Sequence, residues 1–207
     1  MAHILHIDAS PRGENSFSRM LSGEFVAAWK KVHPDDSVTY RDVGRQPVPH
    51  VTEAWIAAAY SAPETWSGEL RDAIRVSEQL VDEFLAADRY VFGVPMHNFS
   101  IPSTLKAYLD QIVRIDRTWS LGPEGYKGLV QGRKMMVITA RGGAYRPGTP
   151  TAPYDLQEPY LRLVLGFMGI VDVTFIHAEK LLSTEDAERE QSVAEARKAI
   201  RTAAETW

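Results

Sequence analysis

The chain has 207 residues, 44% of them hydrophobic, which is enough for one domain with a sizeable core, and a formal net charge of −4 with no lysine or arginine stripe. That balance argues against nucleic acid and anionic membrane as main partners. With no cysteine there is neither a disulfide, a thiol nucleophile nor a zinc–thiolate site, and the six histidines are too dispersed to suggest a metal. The N-terminus starts directly with a strand instead of a charged-then-apolar signal, and no apolar run approaches the roughly 18 residues of a membrane span. A cytoplasmic protein is expected.

Taken in order, Ala2 to Ile7 alternates and is β-branched, as a short buried strand does. From Ser16 onward Phe17, Leu21, Phe25, Val26 and Trp29 recur at helical spacing. Between the two lies a small polar loop that feeds a helix N-terminus, where unsatisfied N–H groups and partial positive charge suit an anion. Ser10, Ser16 and Ser18 are the hydroxyls available to a phosphate. The plainer reading makes Ser16 an N-cap and the others turn residues. A Walker loop is excluded for want of its lysine, and a dinucleotide turn because only Gly13 of its glycines is present.

A second strand is predicted over Ser37 to Asp42, a short helix over Thr52 to Tyr60, and a longer one over Ser67 to Ala87. Arg89 to Val94 is the nearly continuous apolar run of a central parallel strand. An irregular loop, Pro95 to Pro102, precedes a helix from Ser103 to Arg114. Leu121 to Gly128 is a Gly/Pro-bearing excursion, followed by a strand at Lys134 to Ala140 and the loop Arg141 to Tyr145. A helix from Glu158 to Met168, a strand from Val171 to His177 and a helix from Thr184 to about Ala204 complete the order.

Five alternations of strand and helix predict an α/β doubly wound parallel sheet with helices on both faces and strand order 2-1-3-4-5. In such a sheet ligands sit beyond the carboxyl ends of the strands, at the switch point between strands one and three. The loops 10–18, 95–99 and 141–145 converge there.

With these loops in view, the chain resembles the FMN-dependent NADH azoreductases, also described as NADH:quinone oxidoreductases, of the flavodoxin-like fold. The resemblance is carried by Ser10 with Ser16-Phe17-Ser18, by Pro95-Met96-His97-Asn98-Phe99 with Ile101-Pro102 and Leu105-Lys106, by Arg141-Gly142-Gly143, and by Leu165-Gly166-Phe167-Met168-Gly169-Ile170. It runs from the first strand to the last. It implies that Ser10, Ser16, Phe17 and Ser18 hold the FMN phosphate and that Pro95, Met96, His97, Asn98 and Phe99 run beside the ribityl chain and isoalloxazine. Family enzymes usually carry tyrosine at the position of His97.

Ala140, Arg141, Gly142 and Gly143 complete the implied cofactor site. Glycines let backbone N–H groups approach the N1/O2 edge of the flavin, where the reduced ring carries negative charge. Catalysis is then expected at FMN N5, with no catalytic side chain and with His97 and Tyr145 as candidate modulators. Trp119, Tyr145 and Phe167 are candidate substrate walls, at a site that the resemblance places on a homodimer interface. NADH is the implied donor. NADPH stays open, because Arg12 and Arg146 could each meet a 2′-phosphate. Quinones, azo compounds and nitroaromatics are the implied acceptors, and the alternative is a flavodoxin-like electron carrier without a small-molecule substrate of its own.

Overall fold

The protein is described, as a computed structural model, over residues 1–207. Its elements are β1 (His3–Asp8), α1 (Phe17–Val32), β2 (Ser37–Asp42), α2 (Glu53–Ala59), α3 (Gly68–Ala86), β3 (Arg89–Pro95), α4 (Ser103–Ile112), β4 (Trp119–Gly122), β5 (Gly125–Gly128), β6 (Lys134–Ala140), α5 (Gln157–Met168), β7 (Asp172–Ala178) and α6 (Asp186–Thr206). The helices start where capping chemistry allows. Ser16, Thr52 and Ser67 accept from Arg19, Trp55 and Leu70 amides ahead of α1, α2 and α3, and α5 ends on Gly169 at φ +105°.

The main sheet runs β2-β1-β3-β6-β7, every neighbouring pair parallel. This is the expected 2-1-3-4-5 order, with β6 and β7 as the fourth and fifth strands. Because consecutive strand residues face opposite sides, Leu5, Ile7, Phe92, Met135 and Val137 pack beneath α3, α4 and α5, while Ile4, Val91, Met136 and Ile138 pack beneath α1 and α6. Each large apolar side chain buried this way is worth roughly 1.5–3 kcal/mol. The three central strands are therefore fixed from both faces. No helix is long and apolar enough to cross a membrane.

One element goes beyond the sequence reading. The stretch read as a Gly/Pro-bearing excursion forms an antiparallel hairpin, β4 with β5, closing at Gly122 and Gly125 around Pro123 and Glu124. Its place is set by close backbone approach to the end of α5, since a Cβ on Gly128 would lie 2.3 Å from the Gly169 nitrogen. Val130 also donates to the Met168 carbonyl at 2.8 Å. The hairpin is thereby docked on α5, on the same side of the sheet.

Candidate active site

The loop after β1 is held from behind by a buried polar network. Arg19 donates to both oxygens of Asp42, at 2.7 and 2.9 Å, and to the Ser10 carbonyl at 2.8 Å. Asp8, 1% exposed, accepts from Ser22 at 2.8 Å and from Tyr40 at 3.0 Å, with Arg19 at 3.6 Å. Gly93 on β3 is required by this carboxylate, because a Cβ there would stand 2.2 Å from Asp8 Oδ1. The hydrogen bond to Asp42 raises the Arg19 pKa against its burial. Burial pushes the Asp42 pKa up, but the Arg19 guanidinium and the Arg45 amide bring it below the ordinary value. Burial and then the Asp8 charge raise the Tyr40 phenol.

On the open side of that network Ser10, Ser16 and Ser18 are all buried. Ser16 caps α1, and its hydroxyl lies 3.2 Å from that of Ser18. Capping uses the Ser16 oxygen only as acceptor, so its proton remains available to an anion, and the cap and phosphate readings are compatible. The amides of Phe17 and Ser18 have no acceptor in the chain. Three buried hydroxyls and two unused helix N-terminal donors are thus gathered at the start of α1, where an anion is favoured.

The loop after β3 turns back on itself through mutual backbone hydrogen bonds between His97 and Ser100, both 3.0 Å. Its two central residues take positive φ, +48° at Asn98 and +70° at Phe99, the pattern of a type I′ turn. Left-handed backbone costs a bulky residue such as Phe99 roughly 1–2 kcal/mol, which the turn's closing hydrogen bonds offset. The amides of Asn98 and Phe99 are without acceptors in the chain.

The loop after β6 departs from expectation in one respect. The Arg141 side chain is 1% exposed and turned into the protein, its guanidinium 2.9 Å from Asp155, 3.0 Å from Gln157 and 3.5 Å from Glu179. Its own amide is used by the Ala178 carbonyl at 2.8 Å. Arg141 therefore anchors this loop to the start of α5 and the end of β7, and offers the cleft no amide. The amides of Gly142 and Gly143 have no acceptor in the chain, and Gly142 lines the cleft.

These loops meet in one cleft at the carboxyl ends of the central strands. It is lined by Arg12, Ser16 and Phe17, by Pro95, Met96 and His97, by Ala140, Arg141 and Gly142, and by Leu181 and Leu182. The leucines follow β7 and were missed by the sequence reading. Their only signal was position, directly after the carboxyl end of the fifth sheet strand. The three aromatics expected to wall the site divide into two groups. Trp119 and Phe167 pack together at 5.0 Å with Tyr126, whereas Tyr145 sits against Phe99 at 6.4 Å and covers Gly143. None of the three, Trp119, Phe167 or Tyr145, lines the cleft of its own chain, and of the expected cofactor residues Ser10, Ser18, Asn98, Phe99 and Gly143 stand behind or beside its lining.

Comparison with known proteins bears on this geometry. Residues 2–203 match a family model described as flavodoxin-like fold. The chain is 62% identical to FMN-dependent NADH:quinone oxidoreductase 2 of Trichormus variabilis over all of both chains. It is likewise 62% identical to the FMN-dependent NADH:quinone oxidoreductase of Nostoc punctiforme, again over all of both. Among solved structures, an azoreductase from Bacillus anthracis superposes with TM-score 0.92 at 28% identity, covering 100% of each chain. An FMN-dependent NADH-azoreductase of the same species in complex with FMN gives 0.88 at 25%, covering 99% of this chain and 98% of that one.

Proposed function

The chain belongs to the FMN-dependent NADH:quinone oxidoreductases of flavodoxin-like fold, and from that premise we propose that FMN lies in the cleft over β1, β3 and β6. The protein is an FMN-dependent oxidoreductase that takes electrons from NADH. One observation carries the assignment of the site: a single cleft has the buried Ser16 hydroxyl and the unused Phe17 amide at one side and the unused Gly142 amide at another. This fits a molecule with a phosphate at one end and a hydrogen-bonding ring at the other.

When bound, FMN supplies the redox chemistry, accepting hydride from NADH and passing the electron pair to a quinone or azo compound. The chain's own residues do the rest. Ser10, Ser16 and Ser18, with the Phe17 and Ser18 amides, hold the phosphate, and Arg19 keeps the loop in shape through the Ser10 carbonyl. Met96 to Phe99 flank the ring, their type I′ turn presenting the Asn98 and Phe99 amides. The unspent Gly142 and Gly143 amides would supply hydrogen bonds to the flavin edge that gains negative charge, which would favour the reduced cofactor. The His97 side chain stands exposed at the rim, and Tyr145 packs against Phe99, so both can touch an acceptor above the ring.

A homodimer completes this reading. Leu163 (72% exposed), Val171 (83%) and Tyr126 (69%) lie on α5, just beyond it, and on the hairpin docked against it. A second copy covering that face would bring its Trp119 and Phe167 cluster toward the cleft, in line with the interface site that the family resemblance implies. Residues 1–207 act as one domain in this account, in the cytoplasm, with nitroaromatics as further acceptors and with Arg12 as the cation free to meet an NADPH phosphate. Arg146 is already 3.5 Å from Glu179.

The test is to saturate the purified protein with FMN, add NADH under anaerobic conditions, and follow the visible bands. Bleaching with one equivalent of NADH and recovery on adding a quinone is the expected result. A protein that takes up no FMN would sink the site assignment, and bound flavin that NADH leaves oxidised would favour an electron carrier.

A further inference from the structure

We propose that residues 180–182, stapled by Glu188, are the positioning element that aims the Gly142–Gly143 amides and so sets how strongly the site prefers reduced over oxidised flavin. The inference rests on the cleft being the FMN site. Three consecutive carbonyls of the glycine turn are taken by this segment. Leu181 donates to Arg141 O at 3.1 Å, Leu182 to Gly142 O at 3.1 Å, and Lys180 to Gly143 O at 3.0 Å.

A trans peptide is planar, with its C=O and N–H pointing in opposite directions, and no peptide here is cis. Drawing the carbonyls of residues 141, 142 and 143 toward the 180–182 segment therefore turns the amides of Gly142, Gly143 and Ala144 away from it. None of these three amides has an acceptor in the chain. Successive donors that are pre-aimed and unspent are what stabilises a charge that develops during reaction, because no reorganisation is needed when it appears. The segment also touches the turn directly: a Cβ on Gly142 would stand 2.7 Å from Leu182 Cδ1.

The segment is itself held in an uncommon shape. Lys180 has φ +55°, in the left-handed region. Its ammonium is 2.7 Å from Glu188, which also accepts from Ser183 at 2.9 Å, so one carboxylate on α6 ties both ends of the bend. On the other side the Glu179 amide donates to Ser192 at 2.9 Å, and the Glu179 carboxylate accepts from the Tyr145 amide at 2.8 Å. Glu188 does not line the cleft. Its removal loosens the bend without deleting any group placed against the cofactor.

Two quantities are measured on the FMN-loaded protein: the dissociation constant of oxidised FMN by fluorescence quenching, and the flavin midpoint potential by dye-referenced reductive titration. Glu188→Ala should hold oxidised FMN within about twofold of wild type yet lose roughly tenfold in preference for the reduced form, a shift of about 30 mV to lower potential for a two-electron couple. Glu188→Gln, which keeps an acceptor for Ser183 and Lys180, should recover most of it. Glu190→Ala, on the same helix, should shift nothing. Leu181→Pro, which deletes the donor to Arg141 O, should move the potential further in the same direction, and if it does not fold, Glu188→Ala still decides. A wild-type potential in Glu188→Ala overturns the proposal while leaving the FMN assignment intact. A wild-type protein that binds no FMN removes the site assignment and this proposal together.

Discussion

Single atoms decide which glycines this chain can lose. Gly93 leaves no room for a methyl group, with Asp8 Oδ1 at 2.2 Å and Ser22 Oγ at 2.7 Å from its Cβ position. Gly93→Ala should cost at least about 1–3 kcal/mol from overpacking, and weaken FMN binding as well, since Asp8 belongs to the network behind the Ser10–Ser18 loop. Gly166, inside α5, has nothing within 4 Å of its Cβ position. Gly166→Ala should therefore gain up to about 1 kcal/mol from helix propensity. Urea denaturation of both variants checks the pair, and equal effects would show that the contacts at Gly93 do not carry the difference. In the sequence the two glycines look alike. Only the neighbours, contributed by β1 and α1 in the first case, tell them apart.

At the scale of elements, β7 and α5 are joined by a titratable contact. His177 on β7 lies 2.9 Å from Glu158 on α5 and 2.8 Å from the Thr139 hydroxyl on β6. Burial lowers its pKa below 6.5, the Arg141 charge lowers it further, and Glu158 opposes both. The unfolded chain then binds the proton more readily than the native one. Stability is accordingly unaffected above the ordinary histidine pKa and falls as pH drops from about 6.5 toward the lower native value. His177→Gln should flatten that part of the stability profile, as read from urea midpoints across pH 5 to 7.5. An unchanged slope would place the proton uptake elsewhere.

The hairpin is the element that sequence reasoning did not resolve. Gly122-Pro123-Glu124-Gly125 carries turn chemistry, but the flanking Trp119 to Leu121 and Tyr126 to Lys127 are too short to alternate convincingly. The two strands exist because Gly128 and Gly169 let two backbones touch, a contact between residues about forty positions apart.

For the whole molecule, the exposed leucine and aromatic side chains of α5 and the hairpin predict a dimer. Leu163→Asp should shift the sedimentation profile toward monomer and raise the quinone KM, while the FMN spectrum is retained because the cleft belongs to one chain. A wild-type protein that is monomeric at full activity would remove the partner's Trp119 and Phe167 from the account.

The sequence by itself determined the strand and helix order of the main sheet, its parallel pairing with its switch point, and the three loops that meet there. Those features are written in short-range signals: alternation, helical spacing, a serine before a helix, and glycines after a strand. The tertiary structure alone decided that the Arg141 side chain faces inward and that residues 180–182 back the glycine turn. The direction of a peptide plane or a guanidinium is set by its hydrogen-bond partner, and here those partners lie far along the chain, at Asp155, Glu179, Leu181 and Leu182. Local pattern names the residues of the site, and packing aims them.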